Sequence, residues 1–592
     1  MKNLCCLILI LFIAASMYSQ QKIGKHTIGE WHYMIDTTWG PGISTTEKLQ
    51  IFDNFWNTID QHYAGFNNIE DRWLEMKDYE DTISLGVSKG RFAGIMGTLV
   101  VSLQDGHVYM CDNEIGETSL HPGIPLLFTA AITYPSYSWE MASHFGAALS
   151  PLPDSTLLVY AAVPNHPIGL EPGDIILGYD GEPWKDLYKK LLEVQFPIPT
   201  FFVMSGAERA CKYQLLQAAG MNWHLFDTVD VVKYNTGDTL HFPTQLLASP
   251  MPGIHVTEQL PVPGVPFPDE STGRQVSWGI ISGTQIGYIY VWGWTLSPTP
   301  FLAAVNALMP DSVTSGLIID MRMNEGGYAS NWIPGLGKLF DEDVQNMRWA
   351  KRNDPLNHLT LVDNGPFYLP ASGSEMYDRP IAVLCGPWTI SGGDVTVNYL
   401  REHPMVKTFG LPTNGSFGEV YVNQIPGIPP SWTTGYAPFV FYTPPDISNN
   451  LNHTSVIVDE EVWLTQEGVV AGEDDVVKRA IEWINSFTSI NEFEMTTPSQ
   501  FALRQNYPNP FNPSTKIKYS IPQSSNTIIK IYDILGNEIE TLVNEEKQTG
   551  TYELTWNAAN LPSGVYFYQL RATPYGGQAG DFVETKKMIL LR

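Results

Sequence analysis

The chain has 592 residues, too many for one hydrophobic core, and at about 100 to 200 residues per domain it divides into roughly three or four. Its 43% hydrophobic and 12% aromatic content is that of a globular protein, while a formal charge of −28 repels phosphate backbones and anionic lipid surfaces. That balance argues against nucleic acid as a partner.

Residues 1–20, MKNLCCLILILFIAASMYSQ, place basic Lys2 before an apolar run from Leu4 to Ala15 and then small or polar residues. The pattern is that of a secretory signal peptide, and the run is short for a bilayer span. No later stretch approaches ~18 uninterrupted apolar residues, so the mature chain is expected to have no membrane span. Of the five cysteines, Cys5 and Cys6 leave with the signal, and Cys111, Cys211 and Cys385 are too few and too far apart for a disulfide framework or a zinc site.

A part rich in helix is expected over 28–115. Ser44 opens STTE, a capping box, and Leu49, Phe52, Phe55, Trp56, Ile59 and Tyr63 follow at helical spacing. A second helix is predicted from Arg91 to Leu103, running into the turn signal Asp105-Gly106, which sets His107 on a loop just past a helix end.

Within 120–250, LLVYAAVPNHPIGLEPGDIILGYDGEPW sets two β-rich runs around Pro172-Gly173-Asp174 and adds a turn at Asp180-Gly181. This resembles the core of a PDZ domain, which implies capture of a peptide C-terminus as an added strand. From 275 to 487 strands alternate with helices: QIGYIYVWGW, PTPFLAAVNALM, SGLIIDMR, PIAVLCG, a helical stretch from Ser391 to His403, VKTFG, and a last helix from Glu473 to Ser486. Such alternation implies βαβ units around a buried, largely parallel sheet. A polar linker is expected over 488–501. Over 502–592 short alternating strands joined by Asn, Gly and Pro turns imply a small all-β module. Its NYPNPFNPST, LGNE, LPSGVYFY and KKMILL resemble the C-terminal sorting domain of the type IX secretion system, which implies that machinery as a partner and a secreted or cell-surface protein reached through the periplasm.

Three segments carry chemistry: Asp105-Gly106-His107, Asp320 to Gly327 (DMRMNEGG), and Gly386 to Asp394 (GPWTISGGD). A serine where a strand meets a helix presents its hydroxyl at the sheet edge, with the Gly392 amide at a helix N-terminus behind it. Gly326-Gly327 after a strand lets bare amides approach a substrate carbonyl. Each segment alone has an ordinary structural reading; Ser391 by itself reads as an N-cap and the glycine pair as a turn.

Taken in order, SLQDGH, the Pro172 region, DMRMNEGG and SGGD resemble the tail-specific (C-terminal processing and tricorn-core) serine proteases. The resemblance implies a multidomain α/β chain: a crotonase-like protease core, an N-terminal helical segment, an inserted PDZ-like domain, and after them the all-β sandwich module. It implies a secreted endopeptidase for peptide or protein substrates working through an acyl-enzyme, with Ser391 as nucleophile. The processing branch takes its base from a lysine in Gly-x-x-Thr-x-Gly-Lys, but here that stretch ends in Ser416; the tricorn branch uses the upstream histidine, which points to His107. The oxyanion donors are expected from Gly392 and from Gly326 or Gly327. The tricorn-like glutamate falls near Asn452, so the acid orienting His107 stays open among Asp105, Asp459 and Glu460. No HExxH, Walker loop or dinucleotide fingerprint occurs, and neither metal nor cofactor is expected. Those departures keep a non-catalytic binder of peptides or apolar ligands on the same fold as the alternative.

Overall fold

The computed structural model describes residues 22–66, 69–112, 145–197, 223–247, 251, 257–269, 273–310, 312–373, 376–424, 432–494, 501–506, 508–574 and 581–591. The expected signal peptide and Cys211 lie outside them. Two compact units divide the chain, Met1–Ile484 and Asn485–Arg592.

Helix α1 spans Thr45–His62 and starts on the expected capping box, with Ser44 Oγ accepting the Glu47 N–H at 3.2 Å and Glu47 Oε2 accepting the Ser44 N–H at 2.9 Å. Its Ile51, Phe52, Phe55, Trp56 and Ile59 are buried, the face that three- and four-residue spacing puts on one side. Helix α2, Lys89–Leu103, begins two residues before the expected Arg91 because Ser88 caps it, accepting the Arg91 N–H at 3.1 Å. Gln104 ends it in the left-handed region at φ 49°.

The insert is an antiparallel sheet in which Ala147–Pro151, Leu157–Ala162, Ile175–Tyr179, Thr228–Val232 and Thr239–Pro243 lie in chain order, with a helix over Trp184–Glu193. Asp180 and Gly181 make the expected tight turn, both with positive φ. Pro172-Gly173-Asp174 is a joint with the core and not an open loop. The Gly173 carbonyl accepts from Gln466 Nε2 at 2.6 Å, and a Cβ on Gly173 would lie 2.5 Å from Val470. Asp174 is taken up by the Glu171 and Tyr234 N–H groups and the Lys233 ammonium.

The central sheet has six strands in sequential order: β1 Val276–Ile280, β2 Ile286–Val291, β3 Gly316–Asp320, β4 Ile381–Cys385, β5 Val406–Gly410 and β6 Glu460–Glu461. β1 is antiparallel to β2 and the rest are parallel. Every residue of β2, β3 and β4 is buried, as parallel strands covered on both faces require. Helix α3, Gly392–Leu400, follows β4 and stops short of the expected His403.

A second, antiparallel sheet, not foreseen from the sequence, runs Leu361–Leu369, Val344–Arg352, Trp432–Tyr442, Gly418–Gln424. Tyr109–Asp112 also pairs with Trp432–Tyr442, so the strand after His107 is fixed to the core. The last helix covers Asp475–Glu494, running past the expected end at Ser486 into what was read as linker.

In the second unit, Ser514–Ile521 pairs with Ala502–Leu503 on one side and Gly550–Asn557 on the other to make one sheet, and Glu538–Lys547, Ser525–Tyr532, Gly564–Pro574 and Phe582–Leu590 form another. Burial alternates along Ser514–Ile521 and Ser525–Tyr532, and Ile517, Ile529, Trp556 and Tyr568 are core residues. No helix among the described residues is long and apolar enough to cross a membrane.

Candidate active site

Between the end of β4 and the start of α3 the chain turns sharply at Ser391, whose backbone sits at φ 57°, ψ −116°. A non-glycine residue there is strained and must be held. The Ser391 N–H donates to Asp394 Oδ2 at 2.8 Å, and the Gly393 N–H donates to Ile390 O at 2.8 Å. So held, Ser391 Oγ lies 2.9 Å from His107 Nε2, a residue 284 positions away in sequence.

His107 reaches that place through its own turn. Asp105 Oδ1 accepts the His107 N–H at 2.9 Å, closing an Asx turn directly after α2. Nδ1 of His107 is 3.4 Å from the same Oδ1, an ion-pair separation longer than an ordinary hydrogen bond. Asp105 Oδ2 accepts from the Tyr63 hydroxyl at 2.8 Å and from Asn452 Nδ2 at 2.8 Å. Burial alone would raise the Asp105 carboxyl, but the His107 side chain outweighs it, helped by His453 and the His107 N–H, and holds the group well below the usual carboxylate range. The other two candidate acids are engaged elsewhere: Asp459 accepts from Thr408 at its amide and hydroxyl, and Glu460 pairs with Lys407 and Arg479. Asn452, where the resemblance led one to look for glutamate, holds Asp105 in place.

The DMRMNEGG segment leaves the end of β3. Arg322, fully buried, spans Asp320 (2.7 Å) and Asp474 (2.9 Å) and so fixes the root of the loop. Asn324 Oδ1 accepts the Gly326 N–H at 3.0 Å, and Asn324 O accepts the Ile390 N–H at 3.0 Å, stitching this loop to the serine turn. Gly326 and Gly327 have φ 83° and 125°; a Cβ on the first would meet Ser391 Cβ at 2.7 Å, and on the second the Trp294 carbonyl carbon at 2.6 Å. Only glycine fits either place. Because the Gly326 N–H is spent on Asn324, it drops from the expected donor set. The Gly327 and Gly392 N–H groups have no acceptor among the described residues, and a Cβ on Gly392 would lie only 3.1 Å from Gly327 N.

Residues 285–462 match the model of peptidase family S41, and residues 505–583 match that of the secretion system C-terminal sorting domain. The chain carries an S41 peptidase domain. It is a serine peptidase, exported through the type IX system to the cell surface or the extracellular space. Mature CPAF aligns over 76% of this chain and 99% of its own at 12% identity and a TM-score of 0.54, and CPAF complexed with lactacystin over 76% and 98% at 12% and 0.52. That likeness shows the fold. The photosystem II D1 C-terminal processing protease aligns over 72% of this chain and 96% of its own at 15% identity, with a TM-score of 0.36. No curated protein matches the chain.

Three residues around Ser391 and His107 make contacts that the sequence did not foretell. Tyr63 was read only as part of a helix face, and its hydroxyl turns out to bond Asp105. Asp394 was read as motif spelling, yet it is fully buried and accepts N–H groups from Ser391, Gly415 and Ser416, while burial pushes its carboxyl up to about 7 against their pull. Ser416 was read as a missing lysine. Its buried hydroxyl accepts the Gly106 N–H at 3.0 Å and donates to Asn414 Oδ1 at 2.7 Å.

Proposed function

We propose that this chain is a secreted endopeptidase in which Ser391 is the nucleophile and His107 the general base, on a crotonase-like core. The observation that carries the reading is the 2.9 Å approach of His107 Nε2 to Ser391 Oγ, made by residues 284 positions apart in the chain. Oγ attacks the scissile carbonyl carbon while Nε2 takes its proton. The resulting oxyanion is met by the N–H groups of Gly327 and Gly392. The C–N bond then breaks, His107 protonates the leaving amine, and the acyl group stays on Oγ until water, deprotonated by His107, releases the acid. Asp105 acts through His107, fixing the imidazole and stabilising its charged form, with Tyr63 and Asn452 fixing Asp105 in turn.

The antiparallel insert is, in this reading, a PDZ-like domain that captures substrate tails. Support comes from its strand-and-turn wording and from the joint at Gly173, which ties it to the helix Gln466–Ala471 (Gln466 Nε2 to Gly173 O, 2.6 Å).

Labelling by a fluorophosphonate and hydrolysis of a peptide library test the chemistry. The wild type is expected to label rapidly and cut, Ser391→Ala to do neither, and His107→Gln to label slowly. Unchanged labelling of Ser391→Ala would assign the reaction to another residue.

A further inference from the structure

We propose that Asp394 and Ser416 form a brace that sets the nucleophile and the base at their working separation, so that both are positioning residues for peptide hydrolysis; this rests on the Ser391–His107 reading above. Hydrogen bonds connect the two halves of the site without touching the reacting atoms. Asp394 Oδ2 accepts the Ser391 N–H at 2.8 Å and the Ser416 N–H at 3.2 Å, and Oδ1 accepts the Gly415 N–H at 2.8 Å. Ser416 Oγ then accepts the N–H of Gly106, the residue between Asp105 and His107. Asn414, which accepts the Ser416 hydroxyl proton, also ties back to the serine turn, its N–H to Thr389 O at 2.9 Å and its Nδ2 to Pro387 O at 3.1 Å.

The serine turn and the histidine turn come from distant parts of the chain, and each carries a residue in an unusual backbone state, Ser391 at φ 57° and Gln104 at φ 49°. A loop bonded to both is what holds their hydroxyl and imidazole within hydrogen-bond reach, and small misplacements of reacting groups are costly. The Ser416 hydroxyl is committed in both directions, as donor to Asn414 and acceptor from Gly106, so at this position the chain has exchanged a proton acceptor for a structural tie.

The test is steady-state kinetics on a peptide substrate with the full mature chain, with fluorophosphonate labelling rates and thermal midpoints alongside. Ser416→Ala should lower kcat by about 10- to 100-fold with KM within about twofold of wild type, and Ser416→Thr, which keeps the hydroxyl, should recover much of that loss. In a His107→Gln background Ser416→Ala should cost little more, because the brace acts through the histidine. Additive losses in that double variant, or a wild-type kcat for Ser416→Ala, would overturn the brace. Should Ser416→Ala fail to fold, Asp394→Asn, isosteric but with one acceptor fewer, gives the same kcat-against-KM reading, and an unchanged kcat there would also overturn it. Failure of the underlying reading looks different: His107→Gln itself would then keep wild-type turnover.

Discussion

Ser391 is held at a backbone conformation that costs a non-glycine residue on the order of 1 to 3 kcal/mol, and Asp394, Gly393 and the Asn324 loop are the groups that keep it there. The turn aims Oγ at the His107 imidazole, which takes the serine proton in the proposed reaction. His107→Gln should lose turnover by a factor on the order of 10⁴, and kcat/KM for both forms on one peptide is the check. Ser416→Lys should not restore activity to that variant, since the substitution removes the acceptor of the Gly106 N–H and buries a charge among Asn414 and Asp394, and the same assay reads it. Ser391 and His107, which lie 2.9 Å apart, could be singled out in the sequence through the segments that resemble the tail-specific proteases. The hydroxyl of Tyr63 and the carboxylate of Asp394 could not, since a tyrosine on a helix face and an aspartate at a helix start are ordinary in any fold.

At the scale of elements, local signals marked the helix starts. Ser44 with Glu47 and Ser88 with Arg91 are capping interactions within one turn, which a sequence displays directly. The end of the last helix was misread because INEFE is polar but contains neither glycine nor proline, and polarity alone does not stop a helix. The second sheet was missed because its pairing is remote: Tyr109–Asp112 finds Trp432–Gly435, a register no local pattern encodes. The buried triad of Asp320, Arg322 and Asp474 joins the end of β3 to the start of the last helix. Removing its cation leaves two carboxylates buried beside each other. Arg322→Met is therefore expected to destabilise the peptidase unit by about 3 to 5 kcal/mol, measurable as a lowered urea midpoint, while Ser391→Ala leaves that midpoint near wild type.

The whole molecule is a peptidase unit followed by an address. Deleting residues 500–592 should abolish export in the native host and leave kcat/KM of the purified enzyme near its full-length value; normal secretion of the truncated form would show that the address lies elsewhere. If the insert holds substrate tails, amidating a peptide's C-terminus should slow cleavage of long substrates more than short ones, a comparison of paired peptides in one assay. The network around Asp105 draws on Tyr63 near the beginning of this unit and Asn452 near its end, the latter 347 positions beyond Asp105. Synthesis proceeds from the amino terminus, so a growing chain already contains His107, and later Ser391, before the residue that steadies the Asp105 carboxylate exists. No stretch of the chain that stops short of Asn452 can therefore complete the network around Asp105.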